Sequence, residues 1–390
     1  MRDTIQLPPM NKREFIRYCF FGAGGLMLCS GPLNSLSEMV LKYNSPAHPG
    51  EGLWKWSKEA LFYEQTDAGV RCLKCPNECV LGPNETGLCR NRVNYQGKLY
   101  SIAYGNPCAV HIDPIEKKPL FHFLPSTKAF SIATAGCNLR CLNCQNFQIS
   151  QASPKDTDNE DLMPDSVVDQ CLKYRCKSIA YTYSEPTTFY EYMLDTANLA
   201  HEKKLRNVLK SCGYVNEKPL RMLAKHLDAA NIDLKSFEES IYQNLSQGHL
   251  APILKTLSVL KDEGVWLEIT NLVVPSWTDD FDMIKRMSDW LCSNGFSESP
   301  LHFDRFIPLY KLTQLPVTPV STLEKARDIA LHAGVKFVYI GNVPGHPAEN
   351  TYCPKCGAMI VERRGFTILS NHIVNNRCEF CHEPIPGVWS

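Results

Sequence analysis

The chain has 390 residues, enough for one large domain with smaller additions. Lysine plus arginine and aspartate plus glutamate balance at 41 each, so no net field draws it to nucleic acid or to an anionic membrane, and nucleic acid is not an expected partner. Eighteen cysteines would suit a secreted disulfide framework, but most fall in close metal-type clusters, which favours metal sites in a reducing compartment.

Residues 1–50 read as an N-terminal segment and linker. Asn11-Lys12-Arg13-Glu14-Phe15-Ile16-Arg17 resembles a twin-arginine export signal with Lys in the first basic place, and the apolar run Tyr18 to Cys29 that follows is too short for a transmembrane helix. The alternatives are export or membrane association through this segment, or a helix packed on the rest of the chain. Pro46, Pro49, Gly50 and Gly52 mark the linker. Residues 51–125 form a Cys-rich domain. Its Cys72-x2-Cys75-x3-Cys79-x9-Cys89 run offers four ligands, with turns from Pro76, Gly82, Pro83 and Gly87. Such a set suits a second zinc ion or an auxiliary iron–sulfur cluster, and spacing does not choose between them.

Residues 126–345 alternate short β-branched or aromatic runs with helical periodicity. Strands are expected at Ala129–Thr134, Ser178–Tyr183, Asn207–Ser211, Asn231–Lys235, Val265–Val274, Leu301–Ile307 and Lys336–Ile340. Helices are expected at Asp165–Arg175, Thr187–Lys203, Lys218–His226, Ile253–Asp262, Asp279–Cys292 and Thr322–His332. The repeat is too short for eight units, so the fold class is α/β, an open partial barrel of (β/α)6 type. Active sites of such barrels lie at the C-terminal strand ends, and the unusual polar residues fall there: Ser184-Glu185, Ser211-Cys212-Gly213, Asp233-Leu234-Lys235, Thr270-Asn271 and Gly341-Asn342.

The first strand runs into Cys137-x3-Cys141-x2-Cys144. Three thiolates on a short loop suit an iron–sulfur cluster with one iron left open, whereas a closed zinc site wants four. The plain alternative is a zinc site completed from elsewhere, or buried thiols. Cys171, Cys176 and Cys292 lack metal-type spacing and read as core. In residues 346–390, Cys353-x2-Cys356 and Cys378-x2-Cys381 form two knuckles of a zinc ribbon, with rubredoxin-type iron as the runner-up. A structural or docking role is expected for this segment.

Cys-x3-Cys-x2-Cys after a strand resembles the radical S-adenosylmethionine (SAM) superfamily. The wider set, Cys137 to Ser150, Asp113-Pro114-Ile115-Glu116-Lys117-Lys118-Pro119-Leu120-Phe121-His122-Phe123-Leu124-Pro125 and Gly341-Asn342-Val343-Pro344-Gly345-His346, is similar to the AmmeMemoRadiSam-system radical SAM enzymes, relatives of pyruvate formate-lyase activating enzyme. The resemblance implies a [4Fe–4S] cluster on Cys137, Cys141 and Cys144 with SAM on its open iron. By the same resemblance, Ser184 and Glu185 receive the SAM ammonium, Asp233 and Lys235 meet its carboxylate, His302 lies near the ribose, and Asn271 is a further contact. The chain departs at Asn143, where the family usually has an aromatic residue, and at Cys212, where it usually has Asn. Implied companions are Memo-like and AMMECR-type proteins and an electron donor such as flavodoxin or ferredoxin. Because SAM and low-potential electrons are cytoplasmic supplies, a cytoplasmic location is expected. The expected function is cleavage of SAM and hydrogen-atom abstraction from a substrate. The alternatives are a glycyl-radical-enzyme activase and a non-catalytic metal-stapled binding or electron-transfer protein.

Overall fold

The computed structural model describes residues 53–390; the twin-arginine-like segment, within residues 1–52, lies outside the described residues. An eight-stranded sheet runs in chain order from β1 (Ala109–Pro114) through β2 (Lys128–Ala133), β3 (Ser178–Tyr181), β4 (Arg206–Ser211), β5 (Ala229–Asp233), β6 (Trp266–Val273) and β7 (Leu301–Arg305) to β8 (Val338–Gly341). The strands from β2 onward pair in parallel, each with its sequence neighbour. Six crossover helices cover one face: α1 (Pro164–Lys173), α2 (Tyr190–Glu202), α3 (Glu217–Ala224), α4 (Leu250–Asp262), α5 (Phe281–Ser293) and α6 (Val320–Ala333). Strands and helices thus lie where periodicity expects them. Helix α2 starts later because Pro186 opens a 3-10 turn over Pro186–Phe189, whose first amide, Thr187 N, donates to the Glu185 side chain.

Parallel strands covered on both faces are commonly apolar throughout. Here they alternate. Phe130, Ile132, Ile179, Tyr181, Leu209, Ile232, Ile269, Leu301, Phe303 and Ile340 join the helices in one buried core. The intervening residues, including Ser131, Lys210, Asn231, Asp233, Glu268, Thr270 and His302, occupy the period-two positions between them, which places them on the opposite, interior face. A polar interior of this kind is a place for chemistry.

Strand β1 was not expected. It pairs antiparallel with β2, and the chain between them re-enters the barrel from its N-terminal end. Ile115, Leu120, Phe123 and Leu124 pack there against Ala129, Ala180, Val208 and Ala229, so the Asp113–Pro125 motif is an interior plug. Each fully buried Leu or Phe contributes roughly 1.5–3 kcal/mol. Its polar backbone is also satisfied: Phe121 N and His122 N donate to the Glu268 carboxylate (3.0 and 2.8 Å), and Asn231 Nδ2 donates to Pro119 O (2.7 Å).

The C-terminal segment seals this same end. Strands Thr351–Tyr352, Met359–Arg364 and Thr367–Asn371 form a small antiparallel sheet. The buried Arg363 guanidinium donates to Phe121 O (2.9 Å) and Thr351 Oγ1 (2.7 Å). Val388 N donates to His122 O (2.8 Å), and Leu124 N to Val388 O (2.6 Å). The Cys-rich domain instead carries two three-stranded sheets. It meets the barrel's other end, where Asn91 Nδ2 donates to Thr188 Oγ1 (3.1 Å) and Asn216 N to Lys74 O (3.0 Å). A buried Arg92–Glu191 ion pair at 2.8 Å joins it to α2. Among the described residues, no helix is long and apolar enough to cross a membrane.

Candidate active site

The loop after β2 is shaped by Gly136. With φ +108° it adopts a backbone open to glycine, and a Cβ there would stand 1.8 Å from Asn91 Oδ1 and 2.5 Å from Cys89 O. The Cys-rich domain therefore lies directly against the residue that precedes Cys137. Beyond it the loop is pinned by backbone bonds: Gly136 N to Ile149 O (2.9 Å), Arg140 N to Ser246 O (2.9 Å) and Leu142 N to Leu245 O (2.8 Å). Asn138 Nδ2 adds a bond to Tyr214 O (2.7 Å). Leu245 and Ser246 belong to a π-helical turn, Tyr242–Ser246, that sequence periodicity does not show. Its Tyr242 hydroxyl accepts from Lys235 N at 3.0 Å. One short segment thus holds both the cysteine loop and the turn after β5.

Cys137, Cys141 and Cys144 are half-buried. Burial pushes the Cys137 thiol well above its ordinary range, with Glu185 and Cys141 adding to the rise, and burial raises Cys144 to about 11, with Cys141 adding again. Buried thiols that raise one another suit a cationic metal centre that takes them as thiolates. The donor set therefore fits an iron–sulfur cluster with three protein ligands.

Across the mouth, Lys235 Nζ lies 2.8 Å from Asp233 Oδ2. The other Asp233 oxygen is bound by Lys210, whose ammonium also donates to Asn231 Oδ1 at 2.6 Å. Burial alone would raise the Asp233 carboxyl, but the two ammonium groups outweigh it and hold the group well below the usual carboxylate range. Burial likewise opposes the charge on Lys235, and Asp233, then Cys141 and Cys212, more than restore it. Two lysines around one carboxylate leave net positive charge beside the cysteine loop. Asp304 shares this interior, with burial raising its carboxyl more than His302 and Lys210 lower it. Lys210 and Asp304 were not among the expected site residues. The only signal for Lys210 is a lysine inside an apolar run, one residue before a polar strand end.

The remaining expected residues have other surroundings. Glu185 is buried and already saturated: it accepts from Ser211 Oγ (2.7 Å), Thr187 N and Oγ1 (3.1 and 2.9 Å) and Cys212 N (2.8 Å), tying the ends of β3 and β4 together. Ser184 Oγ donates to Thr134 O at 2.6 Å. Asn271 Nδ2 donates to Leu234 O (2.8 Å), bracing the Asp233-Leu234-Lys235 turn, and its buried Oδ1 has no partner. His302 Nε2 lies 2.7 Å from Glu268 Oε2, with its ring packed edge-on to Phe121 and stacked on Tyr339, so its contacts are with the interior plug. Asn143 is buried with its side-chain oxygen unpaired.

The cysteine tetrads differ. Cys353, Cys356, Cys378 and Cys381 bring their sulfurs within 4.8 Å of one another, with Cys353–Cys381 at 3.5 Å and Cys356–Cys378 at 3.8 Å. Zinc–sulfur bonds of about 2.3 Å in a tetrahedron place sulfurs about 3.8 Å apart, so this set fits one ion. It sits by the plug, at the end of the barrel away from the cysteine loop. Cys72, Cys75, Cys79 and Cys89 line a single small cavity with Lys74 and Arg92.

The sequence model of the Radical SAM superfamily matches residues 131–287. The uncharacterized protein MJ0808 of Methanocaldococcus jannaschii is 45% identical over 331 residues, covering 84% of this chain and 98% of its own length. Pyruvate formate-lyase 1-activating enzyme of Escherichia coli K12 is 24% identical over 218 residues, covering 52% of this chain and 89% of its own. Among solved structures, a radical SAM methyltransferase from Sphaerobacter thermophilus aligns with a TM-score of 0.43 at 12% identity, over 56% of this chain and 67% of that one.

Proposed function

Given that this chain belongs to the radical SAM superfamily and is an enzyme related to pyruvate formate-lyase activating enzyme, we propose that it binds a [4Fe–4S] cluster on Cys137, Cys141 and Cys144 and SAM beside it. The observation that carries this reading is the shared scaffold of the Tyr242–Ser246 turn, which holds the cysteine loop by two backbone bonds and the Lys235 amide by a third. When bound, the cluster and SAM supply one-electron cleavage of SAM and, with it, abstraction of a hydrogen atom from a substrate. The protein's part is placement. Lys235, its charge maintained by Asp233, offers an ammonium to the SAM carboxylate, a charge-assisted contact. Lys210 keeps Asp233 from consuming that charge entirely. Glu185, bonded to Thr187, Ser211 and Cys212, holds the ends of β3 and β4 together where Ser184 and Glu185 would receive the SAM ammonium. The plug and the C-terminal segment close the far end, leaving the mouth as the way in.

The Asp113–Pro125 and Gly341–His346 motifs support membership of the AmmeMemoRadiSam-system group, with Memo-like and AMMECR-type proteins as companions and a flavodoxin or ferredoxin as electron donor. The Cys353/Cys356/Cys378/Cys381 tetrad is a zinc ribbon on this reading, since its sulfur spacing suits a tetrahedral ion. Similarity to the Escherichia coli activating enzyme over 89% of that protein favours a second reading, activation of a glycyl-radical partner. Anaerobically reconstituted protein given a strong reductant should convert SAM to methionine and 5′-deoxyadenosine, and Cys141→Ala should abolish it. A full cluster without SAM cleavage under several reductants would sink the reading. A glycine-centred radical appearing on a co-purified partner would select the second.

A further inference from the structure

The plug is fixed from its own end of the barrel, with Phe121 N and His122 N on Glu268 and Phe121 O on Arg363. Packing accounts for its apolar residues. It does not account for the consecutive pair Lys118 and Pro119, whose polar groups bond, through Asp113 in one case and directly in the other, to the turn after β3 and to β5. Those are the two places that carry Ser184-Glu185 and Asp233-Leu234-Lys235.

On the β3 side the contact is Tyr183, the residue before Ser184. Ser184 N donates to Thr182 O (2.9 Å), an i to i+2 bond, and Tyr183 between them has φ +63°, a strained conformation for a bulky side chain. Such a conformation persists where its surroundings over-determine it. Here three contacts do so. The Tyr183 carbonyl accepts from Asn146 Nδ2 (2.8 Å), two residues past Cys144. Its phenol donates to Asp113 Oδ2. Lys118 Nζ, 2.5 Å from that same oxygen, lies 4.7 Å from the centre of the Tyr183 ring. Lys118 and Asp113 are both buried, so this anchor is held away from solvent. Burial and then Asp113 push the phenol up, so it stays protonated and keeps donating.

On the β5 side the contact is Asn231, buried and bonded at both ends of its amide. Nδ2 donates to Pro119 O (2.7 Å), and Oδ1 accepts from Lys210 Nζ (2.6 Å) and Thr270 Oγ1 (2.8 Å). A carbonyl on one side and an ammonium on the other determine which way the amide faces. Lys210 also binds Asp233, and Asp233 binds Lys235. An unbroken chain of polar bonds thus runs from a plug carbonyl to the Lys235 ammonium.

We propose that the plug is the template for the amino-acid end of SAM, with Tyr183 as the positioning residue on the ammonium side, beside Ser184 and Glu185, and Asn231 on the carboxylate side, behind Lys235. Resting on the SAM reading above, this makes the Asp113–Pro125 motif act on SAM without touching it. Tyr183→Phe keeps the ring and removes the phenol bond to Asp113. Asn231→Asp keeps the shape and the acceptor for Lys210 and Thr270, but it loses the donor to Pro119 O. It also sets a second carboxylate against Lys210, which leaves Asp233 to neutralise Lys235. In cluster-loaded protein each substitution should raise the SAM dissociation constant roughly 3- to 10-fold, the range for losing one hydrogen bond, while cluster iron stays at the wild-type level. Combining Tyr183→Phe with Asp113→Asn should weaken SAM binding no further than the stronger single effect, because both act through one bond. A plug that merely fills the barrel gives no such coupling, so additive losses would overturn the Tyr183 arm. Wild-type affinity in either single variant would strike that residue from the proposal, and in both would overturn it while leaving the SAM reading intact. Should Asn231→Asp fail to fold, Tyr183→Phe and its double variant decide. Wild-type protein with a full cluster that binds no SAM would overturn the SAM reading and the template role with it.

Discussion

Removing the Lys235 ammonium tests the electrostatics of the mouth most directly. Its Nζ spends one of three donors on Asp233 at 2.8 Å, while Lys210 binds the other Asp233 oxygen. Two donors and a net positive charge are thus left for an incoming carboxylate. At about 4 Å and an effective dielectric near 20, two unit charges interact by about 4 kcal/mol, which bounds the effect from above. Hydrogen bonds to charged groups contribute a net ~1.5–3 kcal/mol, and the Lys235 side chain is 20% exposed, so the lower part of that range applies. Each 1.4 kcal/mol is tenfold, so Lys235→Ala should weaken SAM binding roughly 10- to 30-fold while cluster iron stays at the wild-type level. Lys235→Arg should restore charge but not geometry, and recover only part of the loss. Lys210→Met should weaken binding in the same direction, because Asp233 then neutralises Lys235 alone. Titrating SAM into cluster-loaded protein and following the spectral change of the cluster measures all three. Wild-type affinity in Lys235→Ala would refute the assignment of the SAM carboxylate to this ammonium.

The other outcomes concern the frame around the site. Gly136→Ala should lower stability and cluster loading together: overpacking against Asn91 and Cys89 costs roughly 1–3 kcal/mol and the left-handed backbone ~1–2 kcal/mol more, measured by denaturant melts and iron content. Cys378→Ser should remove ~1 metal ion per chain and destabilise by ~4 kcal/mol or more, the range reached by loss of a structural metal, so unchanged metal content would count against the ribbon. For Asp113, burial raises the carboxyl, but Lys118 at 2.5 Å, Tyr183 and Lys117 together hold it well below the usual range. A depressed carboxylate stabilises the fold above its unfolded pKa, and that contribution fades as pH falls through the folded value. The stability gap between wild type and Asp113→Asn should therefore be full at pH 7, begin to close below the ordinary aspartate value of ~3.9, and vanish only in stronger acid. A gap independent of pH across that window would show that the ion pair does not stabilise the plug.

Much of this protein was readable along the chain because its signals are local. The cysteine loop is eight consecutive residues, the two C-terminal knuckles are short, and each strand and helix of the barrel carries its own period, so their order and approximate limits follow without knowledge of any distant contact. The plug was not readable, since Ile115–Leu124 mixes charged and apolar residues with neither period, and its burial depends on a barrel interior built from β2 to β6. Lys210 likewise looks like any strand lysine until parallel pairing sets it level with Asn231 beside Asp233. His302 and Glu268 are ordinary polar strand residues until neighbouring strands turn them to the same side and make them partners. The tetrads show the division most sharply. Residue type and spacing determined that each could bind metal. That the C-terminal four bring their sulfurs within 4.8 Å of one another, and that Lys74 and Arg92 line the cavity of the N-terminal four, was decided by tertiary packing, because both depend on where the backbone segments are anchored and not on how many residues lie between the cysteines.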